Sequence, residues 1–192
     1  MSLIRKSVAG FVMLASVVSF AHAEPVTFKI DPVHSTVLFR IMHLNISPSY
    51  GRFADPTGSF VIDSTDVTKS SFNINIDVTK VNTDSTKRDE HLRGPDFFSV
   101  QQFPTATFKS TSVKDAGGGK LDVTGNLTLR GVTKPVSLTM TKTGEGDRGA
   151  RFGYRAGFEG TVTLKRSDFG ITYMMDGLGD EVQLTIALEG TK

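Results

Sequence analysis

Apolar and polar residues alternate along most of this chain, in short runs separated by glycine-rich segments. The clearest run is 71–79, SFNINIDVT, in which every second residue is apolar. Strict alternation indicates a β-strand with one dry face and one wet face, because successive side chains of a strand point in opposite directions. The same pattern recurs at 36–41, 58–62, 121–129, 136–140, 152–158 and 182–189.

Short polar segments rich in glycine lie between these runs and are typical of hairpin connections. They are DAGGGK at 115–120, LRGVTKP at 129–135 and TGEGDRGA at 143–150. About eight or nine strands at hairpin spacing predict one antiparallel sheet, either closed into a barrel or folded into a sandwich. Alternation alone does not distinguish a barrel that holds a ligand from a sandwich with a solid core.

One segment departs from this pattern: TKRDEHLRGPDFF at 86–98 predicts a short helix. Asp84 or Ser85 is a suitable N-cap, and Gly94 followed by Pro95 suits its end, with Gly94 in the left-handed conformation. Pairs at helical spacing, Asp89 with Arg93 and Lys87 with Glu90, predict a solvated surface. Leu92, Phe97 and Phe98 would pack over one end of the sheet, so the helix is expected to act as a cap.

The first 23 residues have the order of a secretory signal peptide. Arg5 and Lys6 precede an apolar run from about 8 to 20, and Ala21-His22-Ala23 ends it. The run is shorter than the roughly 20 residues that a membrane-spanning helix needs. We therefore expect cleavage after Ala23, a mature single domain at 24–192, and a periplasmic location.

The composition of the expected mature chain narrows the classes of function. Two of the 22 basic residues lie in the signal peptide, which has no acids, so 20 basic residues balance 20 acidic ones. A neutral protein offers no electrostatic case for binding nucleic acid. The chain has no cysteine and no tryptophan but 14 phenylalanines, which indicates a dry core stabilised without disulfides.

Catalytic and metal chemistry has weak support in the sequence. Neither H-E-x-x-H nor G-x-S-x-G occurs. His34, His43 and His91 could form a zinc site, but they lie at dissimilar spacings on different predicted elements. Adjacent Glu90 and His91 would point about 100° apart on a helix, which disfavours joint coordination. We predict structural hydrogen bonds for the histidines, and no catalytic residue, metal or cofactor.

Five motifs in order resemble the YceI-like family of exported, lipocalin-like, polyisoprenoid-binding proteins. They are DPVHSTVLFRIMHL at 31–44, YGRFADPTGSFVID at 50–63, RDEHLRGPDFF with FPTATFKSTSV at 88–113, LDVTGNLTLRGVTKPVSLTM at 121–140, and LGDEVQLTIALEG at 178–190. The resemblance covers essentially all of 24–192. It implies an all-β, eight-stranded antiparallel barrel with a short helical cap and a long apolar cavity that holds one isoprenoid or other long-chain lipid. It implies no catalytic residues, so the protein is expected not to be an enzyme.

The inward-facing apolar residues of the strands, with residues near the cap, are the predicted ligand-binding set. They are Phe39, Ile41, Phe53, Phe60, Ile62, Phe72, Ile74, Ile76, Phe98, Phe108, Leu127, Leu129, Leu138, Met140, Phe158, Phe169, Ile171, Met174, Leu184 and Ile186, with Met175 beside Met174. The expected function is periplasmic binding, transport or storage of a polyisoprenoid, such as an isoprenoid quinone. Quinone-dependent membrane redox proteins are hypothetical partners, and the resemblance is compatible with a homodimer. The alternatives are a histidine-metal hydrolase and an interaction module with a solid core.

Overall fold

The computed structural model describes residues 24–192, so the expected signal peptide at 1–23 lies outside the described residues. Eleven strands make up most of this part of the chain. They are β1 Val26–Ile30, β2 Thr36–His43, β3 Ser47–Ala54, β4 Thr57–Ile62, β5 Ser71–Asp77, β6 Val81–Asn82, β7 Thr105–Gly117, β8 Lys120–Leu129, β9 Val132–Asp147, β10 Tyr154–Lys165 and β11 Leu178–Thr191. One α-helix, α1, spans Thr86–Arg93, and 3-10 turns occupy Val67–Lys69, Val78–Lys80 and Arg166–Phe169.

The strands close into an eight-stranded antiparallel barrel. The hydrogen-bonded order runs β1-β4-β5-β7-β8-β9-β10-β11, and β1 pairs back onto β11, with Ile30 opposite Gly190. The other three strands prolong positions already in the ring: β2 continues β1 along β11, β3 lies beside β2, and β6 lies beside β3. The predicted barrel is therefore confirmed, and the sandwich is not what the chain forms.

Most predicted strands are present, but several boundaries differ. The predicted turn at 129–135 shrinks to Arg130 and Gly131, both with positive φ, as a two-residue hairpin turn requires. Strand β9 runs on to Asp147, well into the predicted turn at 143–150. Phe152 lies in the turn before β10 with half its surface exposed, so its place in the alternating run was wrong.

One end of the barrel is filled by four phenylalanine rings. Phe28, Phe60, Phe72 and Phe158 are at most 2% exposed, and the centroid of the Phe60 ring lies 5.1 to 5.7 Å from the other three. A Cβ at position 190 would lie 2.6 Å from the Phe60 ring, so only glycine lets β11 approach it. We call this group of rings the aromatic plug, and the end that it fills the closed end.

The opposite, open end carries α1, the β2–β3 turn, the β8–β9 turn and the segment 166–177 between β10 and β11. Helix α1 differs from its prediction in its end: Gly94 is extended (φ −73°, ψ 177°), not left-handed. Ser85 is the N-cap but makes no side-chain cap bond. The predicted pair of Asp89 with Arg93 is also wrong, because both side chains bind backbone groups of the preceding segment instead.

Candidate functional site

Inside the barrel, an apolar cavity extends from the aromatic plug to the open end. Its inner chamber has about 580 Å³ of empty space and its outer chamber about 890 Å³, both including the space open to solvent. The two chambers adjoin, because five residues line both of them: Val37, Ile76, Leu127, Leu164 and Leu184. Phe72 borders the inner chamber and also packs on Phe60, so it forms the floor.

The lining of this cavity is apolar along its whole length, with one exception at the open end. Side chains of valine, leucine, isoleucine, phenylalanine, methionine and alanine form its wall, and Arg166 is the one charged residue on it. Such a wall offers a guest no hydrogen bonds and binds it only by removing apolar surface from water.

Sixteen of the twenty predicted ligand-binding residues border the cavity. They are Phe39, Ile41, Phe53, Phe72, Ile74, Ile76, Phe98, Phe108, Leu127, Leu129, Leu138, Met140, Phe169, Ile171, Leu184 and Ile186. Phe60 and Phe158 lie instead within the aromatic plug, and Ile62 is buried in the core without bordering the cavity. Met174 and Met175 are more than 40% exposed on the segment 166–177, away from the cavity wall.

The structure adds lining residues that the sequence analysis did not select. They are Val37, Val78, Leu92, Phe97, Ala106, Val123, Val136, Val162, Leu164, Arg166, Leu178 and Val182. Most of them continue an inward row that was already recognised: Val37 precedes Phe39 by two positions, and Val162 and Leu164 follow Phe158 by four and six. Arg166 had no such signal, since a charged residue is rarely expected in an apolar wall.

Arg166 holds the segment 171–179 in place over the cavity. The Nε atom donates to the carbonyl oxygen of Gly179, Nη1 to those of Ile171 and Tyr173, and Nη2 to that of Leu178, all at 2.8 to 3.0 Å. Arg166 is 5% exposed, and its burial lowers the pKa of the guanidinium. Because these carbonyl groups have their partner in one side chain, Arg166 fixes the rim of the outer chamber.

A second arginine joins the two segments that cap the open end. Arg130, in the β8–β9 turn, donates from Nη1 to the carbonyl oxygen of Gly170 and from Nη2 to that of Pro95. Three rings make a further contact between the same segments: His91 lies 5.0 Å from Phe97 and 5.1 Å from Tyr173, between ring centroids, with edge-to-face geometry. The cap is therefore one connected layer.

Helix α1 is anchored by its charged side chains. Asp89 is buried and accepts hydrogen bonds from the backbone N and the hydroxyl of Thr83 at 2.8 and 2.5 Å. Arg93 donates to the carbonyl oxygens of Thr79 and Val81. The charges of 86–98 are thus part of the attachment of the cap, and the predicted solvated surface describes only part of the helix.

A side cleft opens from the outer chamber between the β2–β3 hairpin and α1. It shares Phe39, Ile41, Leu92, Phe97 and Leu178 with the cavity, and its remaining walls carry His43, Ser49, Tyr50, Thr83, Arg88, His91, Tyr173 and Met174. The cleft exists because β6 pairs only with Arg52 and Phe53 of β3, which leaves the first half of β3 without a strand on that side. It is the polar opening of an otherwise apolar cavity.

The three histidines do not converge on a metal site. His43 and His91 border the side cleft, whereas His34 precedes β2 at the other end of the barrel. The eight residues of β2 separate His34 from His43 by roughly 25 Å, since a strand rises about 3.3 Å per residue. His91 instead pairs with Asp96 at 2.8 Å.

The polar group at the closed end has two carboxylates near His34, and one arginine already binds both of them. Possible ligand atoms of Asp31, His34 and Glu189 lie within 4.8 Å of one another. Nη1 of Arg155 donates to Asp31 at 2.8 Å and also to Glu189, and His34 Nδ1 lies 2.9 Å from Asp31. The hydrogen bonds from His34 and Arg155 lower the pKa of Asp31 to about 2. A cation would have to displace Arg155, so we assign this group a structural role.

Comparison with known proteins gives consistent matches over nearly the whole described chain. Residues 28–190 match the family described as YceI-like domain. A Pseudomonas aeruginosa protein of the UPF0312 group is 42% identical over 192 residues, which is 99% of this chain and 100% of the relative. The crystal structure of BcnA from Burkholderia cenocepacia is 27% identical with a TM-score of 0.77, covering 84% of this chain and 99% of that one.

A more distant structure supports the fold alone. It is described as a polyisoprenoid binding domain from Saccharophagus degradans, with 16% identity and a TM-score of 0.64 over 85% of this chain and 97% of that one. Within residues 24–192, no helix has the length and apolar character to cross a membrane.

Proposed function

Because the chain belongs to the family of YceI-like domains, we propose that it binds one long-chain lipid, a polyisoprenoid or a related apolar chain, in the cavity of its barrel. The observation that carries the proposal is the pair of adjoining apolar chambers between the open end and Phe72. The fold relative from Saccharophagus degradans, described as polyisoprenoid-binding, adds support by analogy.

The apolar lining of the two adjoining chambers suits a long hydrocarbon chain. Each methylene group that leaves water contributes about 0.8 kcal/mol, so a long chain has a large gross driving force. Ordering the chain and losing its mobility offset much of this gain. The wall has no hydrogen-bonding groups before Arg166, so the length of the guest, limited by Phe72, is the property that the cavity selects.

The proposed role is binding and transport or storage, without catalysis. The residues that face the guest are apolar, and the histidines lie at two separate ends of the barrel.

The proposal places the mature protein in the periplasm after removal of residues 1–23, which N-terminal sequencing of the exported protein tests. If the guest is an isoprenoid quinone, quinone-dependent membrane redox proteins are the partners we propose. A homodimer is a further proposal, to be tested by light scattering.

The experiment is to purify the protein, extract it with organic solvent and identify the guest by mass spectrometry. A blocked variant makes the result specific: Leu184→Trp places an indole where the two chambers join. Gln183→Trp, exposed on the opposite face of β11, is the matched control. The chain has no natural tryptophan, so each variant also carries a single fluorescent reporter.

We expect about one equivalent of lipid from the wild type and from Gln183→Trp, and little from Leu184→Trp. Added isoprenoid should change the fluorescence of neither variant much, because Leu184→Trp takes up little lipid and the indole of Gln183→Trp lies on the outer face of β11. Melting curves establish whether both variants fold. If Leu184→Trp does not fold, Ile76→Phe introduces a smaller obstruction at the same junction. A wild type that is empty as purified and stays empty with added isoprenoids would refute the proposal.

A further inference from the structure

We infer that the side cleft is a head-group site and that it selects lipids with an anionic head group, such as a phosphate or a carboxylate. The inference rests on the proposed function, because the head group is placed by a chain in the cavity. The cleft and the outer chamber share five lining residues, so the two spaces adjoin and the cleft lies next to the end of a guest in the chamber.

The charge of the cleft has one sign. Among residues 24–192, the ionisable groups on its walls are Arg88, His43 and His91 apart from two tyrosines, and none of these residues contributes a carboxylate to it. Two acids lie just behind these walls: Asp96 pairs with Nε2 of His91, and buried Asp89 accepts hydrogen bonds from Thr83. A neutral alcohol would gain little from such a lining, whereas an anionic oxygen gains charge-assisted hydrogen bonds.

Arg88 is held in place by two hydrogen bonds and keeps further N–H groups that could donate to a ligand. Its Nε donates to the hydroxyl of Thr83 at 2.7 Å, and its Nη2 donates to the carbonyl oxygen of the same residue at 2.6 Å. Two of the five guanidinium N–H groups are thereby used, and the other three have no acceptor within residues 24–192. Thr83 is itself fixed by buried Asp89, so the guanidinium is oriented before any ligand arrives.

The opposite wall offers a second donor at the end of an inward row. Phe39, Ile41 and His43 alternate along β2, the first two bordering both cavity and cleft and the third only the cleft. The side chain of His43 makes no hydrogen bond within the described part of the chain. An anion at the end of a cavity-bound chain would thus lie between Arg88 on α1 and His43 on β2.

The test compares two lipids that share one chain and differ in the head group: geranylgeranyl phosphate and geranylgeraniol. Each competes with N-phenyl-1-naphthylamine, a neutral fluorophore, for the delipidated protein. We expect the phosphate to bind about tenfold more tightly, the effect of one or two hydrogen bonds to a charged group. Arg88→Gln should reduce this preference at least about fivefold and leave the affinity for geranylgeraniol within about twofold.

Two further variants keep the result interpretable. Lys87→Gln removes the same charge from the same helix but away from the cleft, and it should keep the wild-type preference. His43→Gln disturbs no hydrogen bond of the fold and should reduce the preference even if Arg88→Gln folds poorly. Equal affinity of the wild type for both lipids would overturn the head-group site and leave the carrier proposal intact. An equal loss of the preference for the phosphate in Arg88→Gln and Lys87→Gln would also overturn it. If neither lipid binds the wild type, the proposed function itself is refuted.

Discussion

The two ends of the barrel use the same residue type for opposite purposes. At the closed end, four phenylalanines pack on one another and leave no space between them. At the open end, Phe39, Phe53 and Phe98 make similar ring contacts, 5.4 to 5.6 Å between centroids, yet border the outer chamber. An inward phenylalanine therefore does not reveal whether it fills a barrel or lines a cavity.

The difference arises from what surrounds the rings. At the closed end, β1 pairs onto β11 where Gly190 stands, and the missing side chain brings the strand against Phe60 and Phe28. At the open end, β3 extends beyond β6, and a helix and a loop replace a paired strand. Backbone separation, set by pairing and by glycine, decides between plug and cavity.

The sharpest test of this comparison removes one ring from the aromatic plug and one from the wall of the cavity. We expect Phe60→Ala, in the aromatic plug, to lower the free energy of unfolding by about 3–5 kcal/mol, because it leaves a cavity among tightly packed rings. Phe108→Ala, at the wall of the inner chamber, should cost clearly less, since Phe108 already faces empty space on one side. Urea unfolding of the delipidated proteins measures both, and equal losses would contradict the distinction between rings that fill the plug and rings that line the cavity.

The rim of the open end depends on Arg166 rather than on ring packing. Arg166→Ala would remove the partner of four backbone carbonyl groups, and we expect a loss of about 3 kcal/mol or more. Lys165→Ala, at the exposed neighbouring position, should stay within about 0.5 kcal/mol of the wild type. Hydrogen exchange over 171–179 adds a local measurement, and unchanged protection there would show that the segment is held by other contacts.

A smaller effect is expected from adding one methyl group at the closed end. In Gly190→Ala the new Cβ would lie 2.6 Å from the Phe60 ring and 2.8 Å from Cβ of Phe28, so the plug must shift at a cost of about 1–3 kcal/mol. Gly144→Ala is the matched control, since no atom lies within 4 Å of the corresponding position. Thermal melts compare the two. Lipid binding by the folded fraction of Gly190→Ala should be unchanged, and a loss of binding would show that plug and cavity are coupled.

Much of the fold could be predicted because it depends on local patterns. Alternation located most strands, and glycine-rich segments located several turns. The choice between barrel and sandwich could not be made from the same patterns, because it depends on whether Ile30 meets Gly190 at the far end of the chain. The family resemblance, not the periodicity, made that choice.

The candidate site, like the fold, was predictable only where it depends on local sequence patterns. Inward alternation selected Phe39, Ile74 and Leu184, which border the cavity, but it also selected Phe60 and Phe158, which fill the plug. The side chains that organise the open end were not predictable. Arg166 and Arg88 bind backbone carbonyl groups or a threonine that tertiary structure brings near them, and sequence spacing gives no sign of such partners.

The smallest predicted effect is the contribution of one carboxylate at the closed end, Asp31, to the dependence of stability on pH. His34 and Arg155 lower the pKa of Asp31 from 3.8 to about 2. A carboxylate with a lowered pKa in the folded state stabilises that state above its unfolded pKa, and this contribution is lost as the pH falls from about 4 to about 2. Asp31→Asn should therefore be less stable than the wild type at pH 6, and the difference should shrink over that interval.

Urea unfolding at pH 6, 4 and 3 measures this difference. The control is Asp168→Asn at the open end, whose free energy of unfolding should not approach that of the wild type over the same pH interval. Other carboxylates, among them Asp63 and Asp180, also have lowered pKa values, so the test is the difference between variant and wild type rather than the acid sensitivity of either. Lipid affinity of Asp31→Asn at pH 6 should equal that of the wild type, because the aromatic plug separates Asp31 from the cavity. A variant that loses lipid affinity while remaining folded would show that the polar group at the closed end helps to shape the cavity, and that the two ends are not independent.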